Sequence, residues 1–231
     1  MEVIEREREF WEHHAEFDWM ADSTKREVVQ LLPQLSGDVL ELCIGSGLLT
    51  ESLPATYTSY IGLDLSRSLL TALRAKMPAL PLVQGDAEEL CFSSESFDIV
   101  LIFAGLHHLP HFERTILQAY RVLRPNGMFV CLEPSAKAWY RKPMWLIRDL
   151  IGLYSEDEVF LNPARVIGAL RDVGFQQIQP VFLTPRFRES FLGPVNRVLA
   201  RLLYLAAAMG SGAATQSFFL ISARKPAPTA P

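Results

Sequence analysis

Five short apolar runs, beginning near residues 39, 59, 80, 97 and 128, alternate with segments of helical periodicity. Such alternation predicts parallel strands joined by crossover helices that cover both faces of one sheet. The run Val39-Leu40-Glu41-Leu42-Cys43 is apolar apart from one residue, as a strand buried on both faces must be. It opens into Ile44-Gly45-Ser46-Gly47, and about twenty residues later Tyr60-Ile61-Gly62-Leu63 ends in Asp64. Open α/β sheets bind ligands beyond the carboxyl ends of their strands, where the strand order reverses. Glycines there let the backbone approach a ligand, and an aspartate can accept two hydrogen bonds from a ribose diol. The pairing therefore predicts a crevice for a nucleoside-bearing ligand.

The remaining elements follow from local chemistry. Helices are expected over 4–32, 47–53, 66–76, 112–123 and 162–173. Ser23 and Ser66 are expected N-caps, and Gly174 stops the helix before it. Strands are expected at 39–43, 59–64, 80–84, 97–103, 128–133, 175–183 and 215–224. Arg124-Pro125-Asn126-Gly127 reads as a turn. After Glu133-Pro134 the alternation breaks, and the last two strands are expected to pair antiparallel at one edge. The fold class is α/β: a doubly wound, mostly parallel seven-stranded sheet with an antiparallel edge and an N-terminal helical cap.

Composition removes several classes of function. A net charge of −4 and no basic stripe of useful length argue against nucleic-acid binding. Cys43, Cys91 and Cys131 lack metal-ligand spacing and suit a reducing, cytoplasmic setting; no metal is expected. The first dozen residues are charged, unlike a signal peptide. Val195 to Met209 is apolar but interrupted by Arg197 and Arg201, so no transmembrane segment is expected. The helix around 194–209 is a candidate for peripheral lipid contact. Nothing in the sequence fixes an oligomeric state.

The loop itself selects among nucleoside ligands. A nicotinamide site wants G-x-G-x-x-G, and here Thr50 stands where the last glycine belongs. The Gly-Lys-Ser/Thr ending of a triphosphate loop is also absent. Glu41, inside the first strand, would repel a pyrophosphate and suit a ligand with an ammonium group.

These residues resemble the class I S-adenosylmethionine-dependent methyltransferases, in their small-molecule branch. The resemblance runs from Val39 to Glu133 through five motifs in order: Val39 to Gly47, Tyr60 to Asp64, Gly85-Asp86-Ala87-Glu88, Phe97-Asp98-Ile99-Val100, and Arg121 to Met128. It implies the Rossmann-like methyltransferase fold in a single domain. Residues 1–35 would be N-terminal helices and 36–134 the cofactor-binding core. Residues 135–214 would be an insertion with substrate-covering segments and one edge strand, 215–225 the last strand, and 226–231 a disordered tail.

The resemblance also implies roles. Glu41 would help orient the cofactor's ammonium group. Gly45 and Gly47 would let the loop pass beneath the methionine and ribose. Asp64 would bind the ribose hydroxyls, Leu65 would pack on the adenine, and Asp86 and Ala87 would hydrogen-bond it. Phe103 and Ala104 would line the methionine side. Cys43 stands where the family has its first motif glycine. S-adenosyl-L-homocysteine would be the product, and a small, largely apolar molecule the methyl acceptor, on oxygen, carbon or nitrogen.

Competing readings stand beside these. Glu41 fits a structural carboxylate, Asp64 a helix N-cap, and Asp86 a plain turn residue. Gly105-Leu106-His107-His108-Leu109-Pro110 follows the fourth strand, and His108, ahead of His107, is the candidate general base; the alternative is a capping or packing imidazole. Glu133 is open between a substrate ligand and a buried structural acid. Trp139 is a candidate substrate contact among the aromatic residues that follow. The alternative functions are a non-catalytic methyltransferase-like binding subunit, other chemistry with the same cofactor such as aminopropyl transfer, and a nicotinamide-dependent oxidoreductase.

Overall fold

The computed structural model describes residues 20–138, 160–184 and 217–228. Seven strands form one sheet: β1 Asp38–Leu42, β2 Ser59–Asp64, β3 Leu82–Gln84, β4 Phe97–Phe103, β5 Leu123–Pro134, β6 Gln176–Leu183 and β7 Phe218–Arg224. Their spatial order is β3-β2-β1-β4-β5-β7-β6. The pairs from β3 to β5 are parallel, and β7 runs antiparallel to both β5 and β6. The last two strands thus pair antiparallel as the sequence suggests, but β7 lies one strand inside the edge.

Two-residue periodicity divides the core into two layers. On β4, Val100 and Ile102 join one cluster with Leu40, Ile116, Phe129 and Phe175. Ile99, Leu101 and Phe103 face the other side and join Val39, Leu49, Leu73 and Val130. The first layer includes buried residues of α3 (Phe112–Val122) and α4 (Pro163–Val173). The second includes residues of α1 (Asp22–Leu31) and α2 (Arg67–Lys76). This is the doubly wound arrangement, and the order reverses between β1 and β4, where the polar loops converge.

Local chemistry explains where the elements begin and end. Ser66 caps α2, its Oγ accepting from Leu69 N at 3.3 Å. Asn162 caps α4, and Gly174 ends it at φ 107°.

Three expectations need correction. The helix expected at 47–53 is only a 3-10 turn, Thr50–Ser52. Cys43, Gly45 and Gly47 have φ of 53°, 54° and 77°, outside the α region, and Pro54 holds Leu53 extended. Ser23 is not a cap: α1 starts at Asp22, and the carbonyl of Ala21 accepts from Thr24 and Lys25. The turn expected at 124–127 is absorbed into β5, whose pairing with β4 shifts register between Phe97 and Ile99 while Asn126 takes φ 66°.

Residues 1–19, 139–159, 185–216 and 229–231 lie outside the described residues. The N-terminal helical cap before Met20, Trp139, the helix around 194–209 and the end of the tail fall there. No helix among the described residues is long and apolar enough to cross a membrane.

Candidate functional site

A cleft of about 980 Å³, open mouth included, lies beyond the carboxyl ends of β1, β2 and β4. Its floor is the loop after β1. Gly47 turns that loop at φ 77°, where a side chain is strained, and a Cβ there would displace Leu73 Cδ1 at 2.8 Å. Gly47 itself is not among the residues lining the cleft; it shapes the loop from behind. Cys43 and Gly45 do line it.

Cys43 is half-buried and packs against the turn that follows β4. A Cβ on Gly105 would meet Cys43 Cβ at 2.5 Å, so the glycine absent from position 43 is matched by one across the gap. Both Cys43 and Ala104 adopt left-handed backbone, at φ 53° and 54°. Each such residue costs roughly 1–2 kcal/mol, and the two sit together on the cleft wall. Burial pushes the Cys43 thiol well up, so it stays protonated.

Asp64 ends β2 and lines the cleft. Its Oδ2 accepts from Gly45 N and its Oδ1 from Ser66 N, both at 2.8 Å. One carboxylate thereby pins the glycine loop to the start of α2. Burial raises its pKa, opposed by those two N–H groups and by the nearby His108. The N-cap of α2 is Ser66, so Asp64 is not the helix cap the sequence allowed; it is a cleft residue that also fixes the backbone on either side.

Leu65, Asp86, Ala87, Phe103 and Ala104 line the cleft as well. Asp86 Oδ1 accepts from Glu88 N at 2.8 Å, an Asx-type turn that leaves the second oxygen for other use. Glu88, part of the third motif but not singled out as a contact, also lines the cleft and accepts from His111 N at 2.7 Å. Leu69 and Pro110 are further lining residues that carry no sequence signal of their own.

Glu41 lies elsewhere. It shares the face of Val39 and is 1% exposed; it is absent from the cleft lining. Its Oε2 accepts from Thr50 Oγ1 at 2.8 Å and from the Tyr60 hydroxyl. Burial raises its pKa to about 7 against those two hydrogen bonds. The described geometry gives it the structural role of tying the glycine loop to β1 and β2.

The two histidines divide. His108 lines the cleft, whereas His107 turns inward and its Nδ1 meets Glu133 Oε2 at 2.7 Å. Their rings lie 3.9 Å apart, centroid to centroid. Glu133 is fully buried, and its Oε1 accepts from Gly105 N and Leu106 N at 2.9 and 2.8 Å. Burial raises its pKa to about 8. It does not line the cleft, so its observed contacts are those of a buried structural acid.

The cleft's charge is one-sided. Asp64, Asp86 and Glu88 line it, and among the described residues no lysine or arginine does. Such a site favours a ligand with a cationic portion and offers a pyrophosphate no counter-charge.

Comparison with known proteins agrees with this geometry. A family profile described as "Methyltransferase domain" matches residues 40–131. Over 112 residues the chain is 46% identical to phthiotriol/phenolphthiotriol dimycocerosates methyltransferase 1 of Mycobacterium ulcerans, covering 44% of this chain and 40% of that protein. Over 127 residues it is 35% identical to demethylmenaquinone methyltransferase of Oceanobacillus iheyensis, covering 51% of each. The chain thus spans about half or less of the length of these curated relatives. The crystal structure of an S-adenosylmethionine-dependent methyltransferase from Mesorhizobium loti superposes with a TM-score of 0.62 at 21% identity, over 88% of this chain and 98% of that one. At that identity the likeness concerns the fold, which is the Rossmann-like methyltransferase fold.

Proposed function

From the match of residues 40–131 to the methyltransferase domain profile, we propose that this protein transfers a methyl group from S-adenosylmethionine to a small, largely apolar acceptor. The observation that carries the reading is the cleft at the β1/β4 switch point, lined by Asp64, Asp86 and Glu88 without lysine or arginine among the described residues. A sulfonium cofactor with an ammonium tail meets favourable charge there, and a dinucleotide does not.

Asp64 accepts from the backbone N–H groups of Gly45 and Ser66 on separate oxygens, and a carboxylate has about four acceptor positions, so it would take ribose hydroxyls without releasing the loop. Asp86 Oδ2 and the backbone N–H of Ala87 would hold the adenine edge, and Leu65 and Leu69 would cover its faces. Gly45 brings the loop backbone close to the methionine portion, and Phe103 and Ala104 close that side. When bound, the cofactor supplies a methyl already activated by the positive sulfur. The protein aligns the acceptor for in-line displacement and excludes water. His108, at the cleft wall, takes the acceptor's proton when the nucleophile is a hydroxyl or an enol. The relatives named for phthiotriol and demethylmenaquinone support an acceptor that is a lipid alcohol or a quinone-like ring. A cytoplasmic location belongs to the same reading.

Titration calorimetry with S-adenosylhomocysteine and with NAD tests the cofactor. Heat with the first and none with the second is expected, and the reverse overturns the proposal. Transfer of a labelled methyl group to a demethylated naphthoquinol and to a lipid alcohol then tests the acceptor class; labelling of neither removes it.

A further inference from the structure

We infer that Glu133 is a positioning residue, whose buried carboxylate clamps the turn after β4 and so holds His108 at the cleft wall. The inference rests on the reading of the cleft as the cofactor and acceptor site. A fully buried carboxylate is costly unless its lone pairs are met. Those of Glu133 are met from a single place: Gly105 N, Leu106 N and His107 Nδ1, three consecutive residues, at 2.9, 2.8 and 2.7 Å. The turn leaves the strand at Phe103 and Ala104, which line the cleft, and ends at His108, which lines it too.

The clamp reaches His108 by two routes. The backbone bonds fix the 3-10 turn Leu106–His108, and so the direction in which the His108 side chain leaves the chain. The bond to Nδ1 fixes the His107 ring, and the His108 ring packs on it at 3.9 Å between centroids. Within electrostatic reach of Glu133 are His107 and His108 from the turn, Cys43 from the loop after β1, and Cys131 from β5 itself. His108 also feels Asp64 across the cleft. A carboxylate that merely filled a core slot would have no reason to spend every described bond on the residues leading to His108.

The test follows the imidazole signals of the full chain labelled with ¹⁵N-histidine, with His108 identified by its loss in His108→Asn. Glu133→Gln keeps a carbonyl for the two backbone N–H groups but offers His107 an amide in place of a carboxylate. We expect the His108 titration midpoint to move by about half a pH unit or more, with affinity for S-adenosylhomocysteine held within about threefold. An unmoved His108 in folded Glu133→Gln overturns the inference. If Glu133→Gln does not fold, His107→Leu keeps the backbone bonds and removes the ring contact: a displaced His108 signal supports the clamp, and an unchanged one overturns it. Failure of the wild type to bind S-adenosylhomocysteine refutes the cofactor reading and leaves the histidine comparison intact, so the two failures are distinguishable.

Discussion

Replacing Glu41 by Gln should remove a definite part of the pH dependence of folding stability. Glu41 is 1% exposed, and burial raises its pKa from 4.5 to about 7 against hydrogen bonds from Tyr60 and Thr50. Between those values the folded chain holds a proton that the unfolded chain has released. The contribution is therefore greatest at low pH, falls as pH rises through that window, and is flat above it. One pKa unit is worth about 1.36 kcal/mol. Integrating both titrations from about pH 5 to pH 8 gives a loss of about 2.5 kcal/mol in the wild type, absent in Glu41→Gln. With a urea dependence of about 2.5 kcal/mol per molar, the wild-type midpoint should fall by about 1 M more than the variant's. Asp64 and Glu133 have raised pKa values as well and slope the same way in both proteins; Asp64 is also coupled to Glu41, so the difference reads Glu41 together with that coupling. Urea unfolding followed by circular dichroism at the two pH values measures it. Equal midpoint shifts in wild type and variant would refute the reasoning.

Three other outcomes are expected. Gly105→Ala drives a methyl into Cys43 Cβ at 2.5 Å and should cost about 1–3 kcal/mol in thermal unfolding; much of that should return in the double variant Cys43→Gly/Gly105→Ala, and strictly additive effects would disprove the coupling. Asp64→Ala removes the acceptor for Gly45 N and Ser66 N together with the proposed ribose contact. It should weaken S-adenosylhomocysteine binding about 10- to 100-fold by calorimetry, and an unchanged affinity would reduce Asp64 to a structural carboxylate. Gly47→Ala places a side chain at φ 77° and against Leu73 and should lower the melting temperature, at a cost of about 1–2 kcal/mol; a melting temperature equal to the wild type's would show that the position carries no strain.

Much of the fold is legible because it is written locally. The apolar runs of β1, β2 and β4 read as strands buried on both faces, and β2 and β4 span Ser59–Asp64 and Phe97–Phe103, matching the expected ranges. Ser66 and Asn162 act as caps through bonds to residues two or three positions away. The spacing of the glycine loop and Asp64 marks the end of the sheet where the cleft opens. Where local signals misled, longer-range geometry overrode them. The helix expected after Gly47 shrank to one 3-10 turn because the loop must pass through positive φ, and the Arg124–Gly127 turn was drawn into β5 by pairing with β4.

The sequence by itself determined the alternation of strands and helices, the end of the sheet at which the cleft opens, and residue types that line it. Tertiary structure alone decided how the buried carboxylates are used and how Cys43 is accommodated. Glu41 finds its partners at Thr50 and Tyr60, 9 and 19 residues away, and Glu133 finds its own at 26 to 28 residues' distance. Cys43 is tolerated because Gly105, on a different strand's exit loop, leaves it room. Propensity and periodicity act over a few residues and reveal the first set. The desolvation of a carboxylate and the fit of a thiol depend on what the folded chain brings into contact, and no stretch of sequence carries that in itself.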